Sequence, residues 1–350
     1  MSGAVLVTGG AGFIGCNLAD RLARDGHEVI VLDALARPGV EANLHWLRER
    51  HGDRIRPVIA DIRDADVVAD AVAGAKAVFH MAAQVAVTTS LLDPVEDFEI
   101  NVRATLGLLE AVRRAGRRAP VIFASTNKVY GDLADIELVD LDERWTPADP
   151  AIAAHGISEA RPLDFHTPYG CSKGAADQYV LDWSRSYGLP TAVVRMSCIY
   201  GPRQMGTEDQ GWVAHFLIRA LEGCPITLYG DGKQVRDICH VDDAVATYMA
   251  VWRDIERVSG RVFNLGGGAD NAVSLRQLLR HIEGVLGRPV ATSNEDWRAG
   301  DQRYFVADAR AVRHELGLPA PKPWREGIAE LATWLSDARG LPLRELAAAE

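Results

Sequence analysis

Thr8-Gly9-Gly10-Ala11-Gly12-Phe13-Ile14-Gly15 is the stretch that decides how this chain folds. A short apolar run at residues 4–7 leads into it, and a helical pattern over 15–24 leads out of it. Gly9, Gly12 and Gly15 are spaced by three. Between a strand and a helix, such glycines permit a tight turn and a close approach of backbone to a pyrophosphate. The helix N-terminus then favours that anion. A glycine triplet alone says little, and its neighbours strengthen it. Phe13 and Ile14 open the helix, and Asp33 closes the next apolar run. Asp33 stands at about the twenty-residue interval of an acid that takes the ribose hydroxyls. A carboxylate there repels a 2′-phosphate, which favours NAD, while Arg37 close by pulls toward NADP.

Beyond this loop, β-rich apolar runs at 28–32, 55–59, 77–80 and 120–124 alternate with helical patterns at 65–73 and 102–115. That alternation predicts an α/β fold, a doubly wound parallel sheet with helices on both faces. Residues 191–196 and 262–265 read as later strands of the same sheet. Asp61 and Ile62, after the third strand, are placed to meet adenine. Ala82 and Gln84, after the fourth, stand where small residues let backbone pass close to the cofactor. From residue 203 the pattern turns irregular, with helices at 212–221, 243–253 and 274–286 between loops rich in Gly, Asp and Arg. The expected division is a dinucleotide-binding domain over 1–190, with later strands from about 191–200 and 235–266. A smaller interleaved lobe takes 201–234 and 267–350. Residues 132–166 read as a long Pro/Asp-rich loop, a kind of loop that is often functional.

Composition narrows the class of protein. A chain of 350 residues, 48% hydrophobic, can bury a substantial core. A net charge of -10 argues against a nucleic-acid surface, though a local basic pocket can still hold a small anion. The five cysteines, Cys16, Cys171, Cys198, Cys224 and Cys239, form no C-x-x-C pair. They read as reduced thiols, with no metal site and no disulfide framework. The first strand starts too early to leave room for a signal peptide, and no apolar run is long enough to span a bilayer. The expectation is a cytoplasmic protein with no membrane partner.

Chemistry enters with Ser125-Thr126-Asn127-Lys128-Val129-Tyr130-Gly131, followed by Tyr169-Gly170-Cys171-Ser172-Lys173. Tyr169 and Lys173, four apart, share one face of a helix. An ammonium near a phenol favours the phenolate. Thr126, at the end of the fifth strand, supplies a hydroxyl beside them. After a dinucleotide loop, this trio suits removal of a proton from an alcohol as hydride leaves the same carbon.

These residues resemble the extended short-chain dehydrogenase/reductases, in particular the nucleotide-sugar epimerases and dehydratases. The likeness covers nearly the whole chain and is sharpest to the CDP-paratose 2-epimerases, also called CDP-tyvelose epimerases. It is carried by 43–47, 84–90, 97–102, 125–133, 163–179, 209–213 and 301–308. The resemblance implies that Thr126, Tyr169 and Lys173 are the catalytic set, with Lys173 also on the nicotinamide ribose. It implies too that Arg236 and Arg303 hold the substrate's diphosphate or nucleoside, a task suited to the guanidinium fork.

Sugar 4,6-dehydratases of that family carry Asp and Glu where this chain has Asn127 and Lys128. Dehydration needs that acid and base, so the expectation is redox epimerisation, and the resemblance implies that it acts at carbon 2 of CDP-paratose or CDP-tyvelose. Inversion at carbon 4, or of another nucleotide sugar, uses the same proton-transfer set and stays open. A net reductase or a non-catalytic dinucleotide-binding protein has less need of the trio. Thr89, Asn127, Lys128, His166, Ser197 and Gln210 complete the expected sugar contacts. Trp212 is either a pocket wall or plain core. A homodimer is expected through helices at 102–115 and 175–187.

Overall fold

The computed structural model describes residues 3–298 and 300–341, so residues 1–2, 299 and 342–350 of the expected division lie outside the described residues. Its centre is a seven-stranded sheet: β1 (Ala4–Thr8), β2 (Val29–Asp33), β3 (Ile55–Ile59), β4 (Ala75–His80), β5 (Val121–Thr126), β6 (Thr191–Met196) and β7 (Arg261–Leu265). The spatial order is 3-2-1-4-5-6-7 and every pairing is parallel. This is the expected doubly wound α/β architecture. Strand order reverses between β1 and β4, and such a switch point opens a crevice at the carboxyl ends of the strands. Thr8, Asp33, His80, Thr126 and Met196 end their strands along that edge.

Successive strand residues face opposite sides, so a sheet covered on both faces must be apolar almost throughout. Val5, Val7, Val29, Val31 and Phe79 pack against the helices Phe13–Arg24 and Val241–Arg253 through Leu18, Leu22, Val245 and Tyr248. Leu6, Ile30, Leu32 and Val78 face the helices Ala65–Ala73, Ala104–Ala115 and Thr167–Tyr187 through Val68, Val72, Leu108 and Val180. A π turn, Glu99–Arg103, precedes Ala104–Ala115. Such bulges cluster at functional sites.

The second lobe has its own core, where Leu217, Leu278, Ile282, Ile328 and Leu331 join the helices Trp212–Glu222, Leu275–Leu286 and Trp324–Arg339. Val235–His240 belongs to a separate small sheet, paired with Cys198–Tyr200, Ala272–Ser274 and Tyr304–Phe305. It does not join β6 and β7, although the helix that follows it returns to cover the main sheet. Its buried residues include Arg236, Asp237 and His240, a polar content that apolar patterning does not reveal. The stretch 132–166 is also more built than a loop. It holds an antiparallel pair, Leu138–Asp140 with Trp145–Pro147, and a helix, Pro150–His155, capped by the Asp149 carboxylate. Three-residue strands are too short to show a period. Among the described residues no helix is long and apolar enough to cross a membrane.

Candidate active site

A cavity of about 1080 Å³ runs along the carboxyl ends of the strands, between the main sheet and the second lobe. The glycine loop forms one wall. Gly9 has φ +65°, and a Cβ there would lie 2.7 Å from the Ala82 nitrogen; a Cβ on Gly15 would lie 2.2 Å from the Gly9 oxygen. Backbone packing requires both glycines. Gly12 differs, because its φ of -67° suits any residue and its missing Cβ would meet only the Gly9 oxygen, at 3.2 Å. Open space lies in front of Gly12, at the N-terminus of Phe13–Arg24, and it fits a pyrophosphate. Asp33 is fixed beside it, with Oδ2 accepting from the Ala11 amide and Oδ1 from the Leu35 amide, both at 2.9 Å. The residues present therefore fit a dinucleotide.

Phe13, Ile14, Asp61, Ile62 and Ala82 also line the cavity. The Asp61 carboxylate is gripped by Arg63 at 2.7 and 2.9 Å, a pairing that holds it below the usual carboxylate range. Ala82 donates its amide to Thr8 Oγ1. Gln84 is not on the cavity wall. Its side-chain amide bonds the Ala86 backbone and Asp97, and its own backbone is tied to Asn101. It braces the turn after β4, where the sequence suggested a cofactor contact.

The structure brings Thr126, Tyr169 and Lys173 to the same cavity. Thr126 ends β5 and caps the short helix Asn127–Tyr130, accepting the Lys128 amide at 3.2 Å. Tyr169 and Lys173 sit one turn apart on Thr167–Tyr187, both buried. The expected depression of the phenol's pKa is absent. Burial pushes Tyr169 up to about 12 against the Thr126 hydrogen bond, and burial pulls Lys173 down to about 7. The Lys173 ammonium lies 4.2 Å from the centre of the Phe123 ring. Spacing put the two groups on one face but carried no information on desolvation, which dominates here.

Asn127, Lys128, Ser197, Gln210, Trp212 and Arg236 line the other end. Asn127 donates to Gln302 Oε1 (3.0 Å), and Lys128 Nζ donates to the Gly300 carbonyl (3.1 Å). Burial first, then the Arg236 charge, lowers the Lys128 amine to about 8. Arg236, 7% exposed, donates to Asp301 at 2.6 Å. The Ser197 hydroxyl donates to the Asp237 carbonyl at 3.1 Å. Trp212 Nε1 points to Cys198 Sγ (3.4 Å) while its ring packs edge-on against Phe216. Trp212 is thus both wall and packing.

Besides Gln84, three expected substrate contacts lie off the cavity wall. Thr89 is exposed; its neighbour Thr88 lines the cavity, with a buried hydroxyl oxygen that has no hydrogen-bond partner among the described residues. One residue along a helix is a turn of about 100°, enough to exchange the two. His166 pairs with Asp164 (3.1 Å) and Asp132 (3.5 Å), away from the cavity. Arg303 is exposed, 5.5 Å from the rings of Trp145 and Trp297. In the extended run around Tyr304–Phe305 the alternation turns Arg303 outward and Gln302, fully buried, inward. Sequence reasoning also missed Arg298, which lines the cavity and lies 3.8 Å over the Tyr229 ring. Nothing periodic surrounds it, so no signal pointed there.

Residues 5–266 match the NAD dependent epimerase/dehydratase family. The chain belongs to this family. It is 41% identical over 339 residues to CDP-paratose 2-epimerase of Salmonella typhi, covering 95% of this chain and 99% of that one. It is 35% identical over 326 residues to UDP-glucose 4-epimerase of Mycolicibacterium smegmatis, covering 93% and 96%. The UDP-glucose 4-epimerase of Thermus thermophilus, solved with NAD, superposes with a TM-score of 0.79 at 31% identity, covering 96% and 99%. Like the family, the protein is an NAD-dependent enzyme of the nucleotide-sugar epimerase and dehydratase group, and the cavity described above fits that cofactor.

Proposed function

We propose that the protein is a cytoplasmic nucleotide-sugar 2-epimerase that interconverts CDP-paratose and CDP-tyvelose. The observation that carries this reading is the 41% identity to a CDP-paratose 2-epimerase along almost the full length of both chains. The site supports it, since Asn127 and Lys128 follow Thr126 at the two positions where the dehydratases that the chain resembles carry Asp and Glu.

NAD, when bound, would supply the hydride acceptor and donor and a positive ring charge that would favour the Tyr169 phenolate. The protein does the rest. Thr126 orients the sugar hydroxyl toward Tyr169, whose phenolate takes the proton as carbon 2 becomes a ketone. Arg236 keeps hold of the diphosphate while the sugar turns over. Tyr169 then returns its proton to the oxygen, with the carbon inverted. Arg298 takes the place expected of Arg303 at the nucleotide end. A panel of CDP-, UDP- and dTDP-sugars with product NMR tests the assignment. Inversion at carbon 2 of a CDP-sugar is expected, and conversion of UDP-hexoses alone at carbon 4 would replace this reading with the carbon-4 alternative.

Lys128 is proposed to hydrogen-bond a sugar hydroxyl and bias oxidation toward carbon 2. Lys128→Glu loses that donor and sets a carboxylate near Asp301. The expected result is a fall in kcat/KM of about tenfold or more, on the scale of one charged hydrogen bond. Unchanged turnover and product would remove Lys128 from the account.

A homodimer is proposed as well. Leu92 (86% exposed), Val95 (69%) and Tyr187 (55%) are large apolar groups on the neighbouring helices Val87–Leu92, Pro94–Phe98 and Thr167–Tyr187. Large exposed apolar groups on these helices support an interface there. Light scattering should give twice the 38.0 kDa chain mass, and a monomer would contradict it.

A further inference from the structure

From Thr126 outward, contacts trace the order of groups along the cavity wall. Lys128 donates to the Gly300 carbonyl, and Arg236 donates to the neighbouring Asp301. Arg298, two residues before Gly300, donates to the Glu208 backbone carbonyl (3.0 Å) and to its carboxylate Oε1 (3.4 Å). The Tyr229 hydroxyl donates to the same Oε1, and the Arg298 guanidinium stands 3.8 Å over the Tyr229 ring. All of these residues line the cavity.

The Glu208 carboxylate is thus held in place. Glu208 and Asp209 form the tip of a tight turn in which Thr207 and Gln210 exchange backbone hydrogen bonds of 2.9 and 3.2 Å. Tyr229 ends the strand Ile226–Tyr229, which pairs in parallel with Thr292–Glu295 just before Arg298. Oε1 is taken by Tyr229 and Arg298, while Oε2 carries no hydrogen bond among the described residues.

With the sugar at Lys128 and the diphosphate at Arg236 and Arg298, the base falls beyond Arg298. Bases stack on aromatic rings and on guanidinium planes, and Tyr229 with Arg298 over it offers both. We propose that Glu208 selects the base there. Its Oε2 accepts from the exocyclic 4-amino group of cytosine and repels the 4-carbonyl of uracil or thymine. A carboxylate only accepts, and cytosine presents a donor where the other two present an acceptor. Gln210, on the same wall, cannot discriminate in this way, because a side-chain amide turns to suit either group. The proposal deepens the functional reading above and rests on its placement of the diphosphate.

Titration of the NAD-loaded protein with CDP and with UDP, followed by calorimetry, tests it without turnover. The protein is expected to bind CDP about tenfold or more tighter than UDP. Glu208→Gln changes one group on a half-exposed turn, so the fold should survive. Its amide can accept from the amino group or donate to the carbonyl, and the CDP preference should shrink to about threefold or less. Asp209→Asn removes the same charge one residue along, 3.7 Å from Arg298, and should leave the preference intact.

Equal binding of CDP and UDP by the unaltered protein would overturn the proposal, as would a CDP preference that survives in Glu208→Gln. Tighter binding of both nucleotides in that variant, at an unchanged ratio, would mean that Glu208 only masks Arg298, and would overturn it too. A preference lost equally in Asp209→Asn would assign the effect to net charge and count against it. Failure of the diphosphate placement would show separately, as CDP affinity unchanged in Arg298→Ala. Inversion at carbon 4 would sink the functional reading and leave the CDP-to-UDP ratio untouched.

Discussion

Tyr169→Phe is expected to lower kcat by about 10²–10⁴-fold, the range that one positioned acid–base group contributes. KM and bound NAD should change little, because the ring still fills its place on Thr167–Tyr187 and only one oxygen is lost. The phenol is the group on the cavity wall next to the Thr126 hydroxyl that can both take and return a proton. Lys173 cannot substitute for it, being one turn away and resting on the Phe123 ring. Steady-state kinetics with cofactor content measured in parallel checks this. A variant within tenfold of wild type, with NAD bound, would show that proton transfer runs elsewhere.

Gly12→Val is expected to yield a folded protein without NAD and without measurable turnover. Its backbone, at φ -67° and ψ 172°, suits an L-residue, and a Cβ would meet only the Gly9 oxygen, at a tight 3.2 Å that the loop relieves by giving a few tenths of an ångström. The added side chain would fill the space in front of the helix N-terminus where the pyrophosphate belongs. Gly15→Val makes the useful contrast, because its Cβ would overlap the Gly9 oxygen at 2.2 Å and damage the fold itself. Circular dichroism and NAD released on denaturation separate the two cases. A Gly12→Val protein holding one NAD per chain would contradict the assignment of this loop.

The sheet was legible because its strands are buried on both faces and so appear as unbroken apolar runs. The glycine loop and Asp33 were legible because the triplet falls between a strand and a helix and an acid ends the next strand, a context that the spacing alone does not supply. Single positions were less secure wherever one residue reverses a side chain. Thr88, not Thr89, lines the cavity from its helix, and beside a strand Arg303 turns outward while its neighbour Gln302 is buried against Asn127. Gln84 was misplaced because its amide closes a turn on itself and reaches Asp97, a contact across helices that spacing does not encode. Arg298 sits in an irregular segment and reaches the cavity only through tertiary packing on Tyr229. The charge state of the catalytic pair was hidden too. A spacing of four residues fixes which face two groups share, while burial decides that Tyr169 moves up and Lys173 moves down.

The central claim is inversion by oxidation and return of the same hydride. The most direct test is NMR of product from purified protein with CDP-paratose or CDP-tyvelose in deuterated buffer, with no NAD added. The account predicts inversion at carbon 2 with no deuterium at that carbon. Inversion accompanied by deuterium at carbon 2 would contradict it and assign the chemistry to deprotonation at carbon.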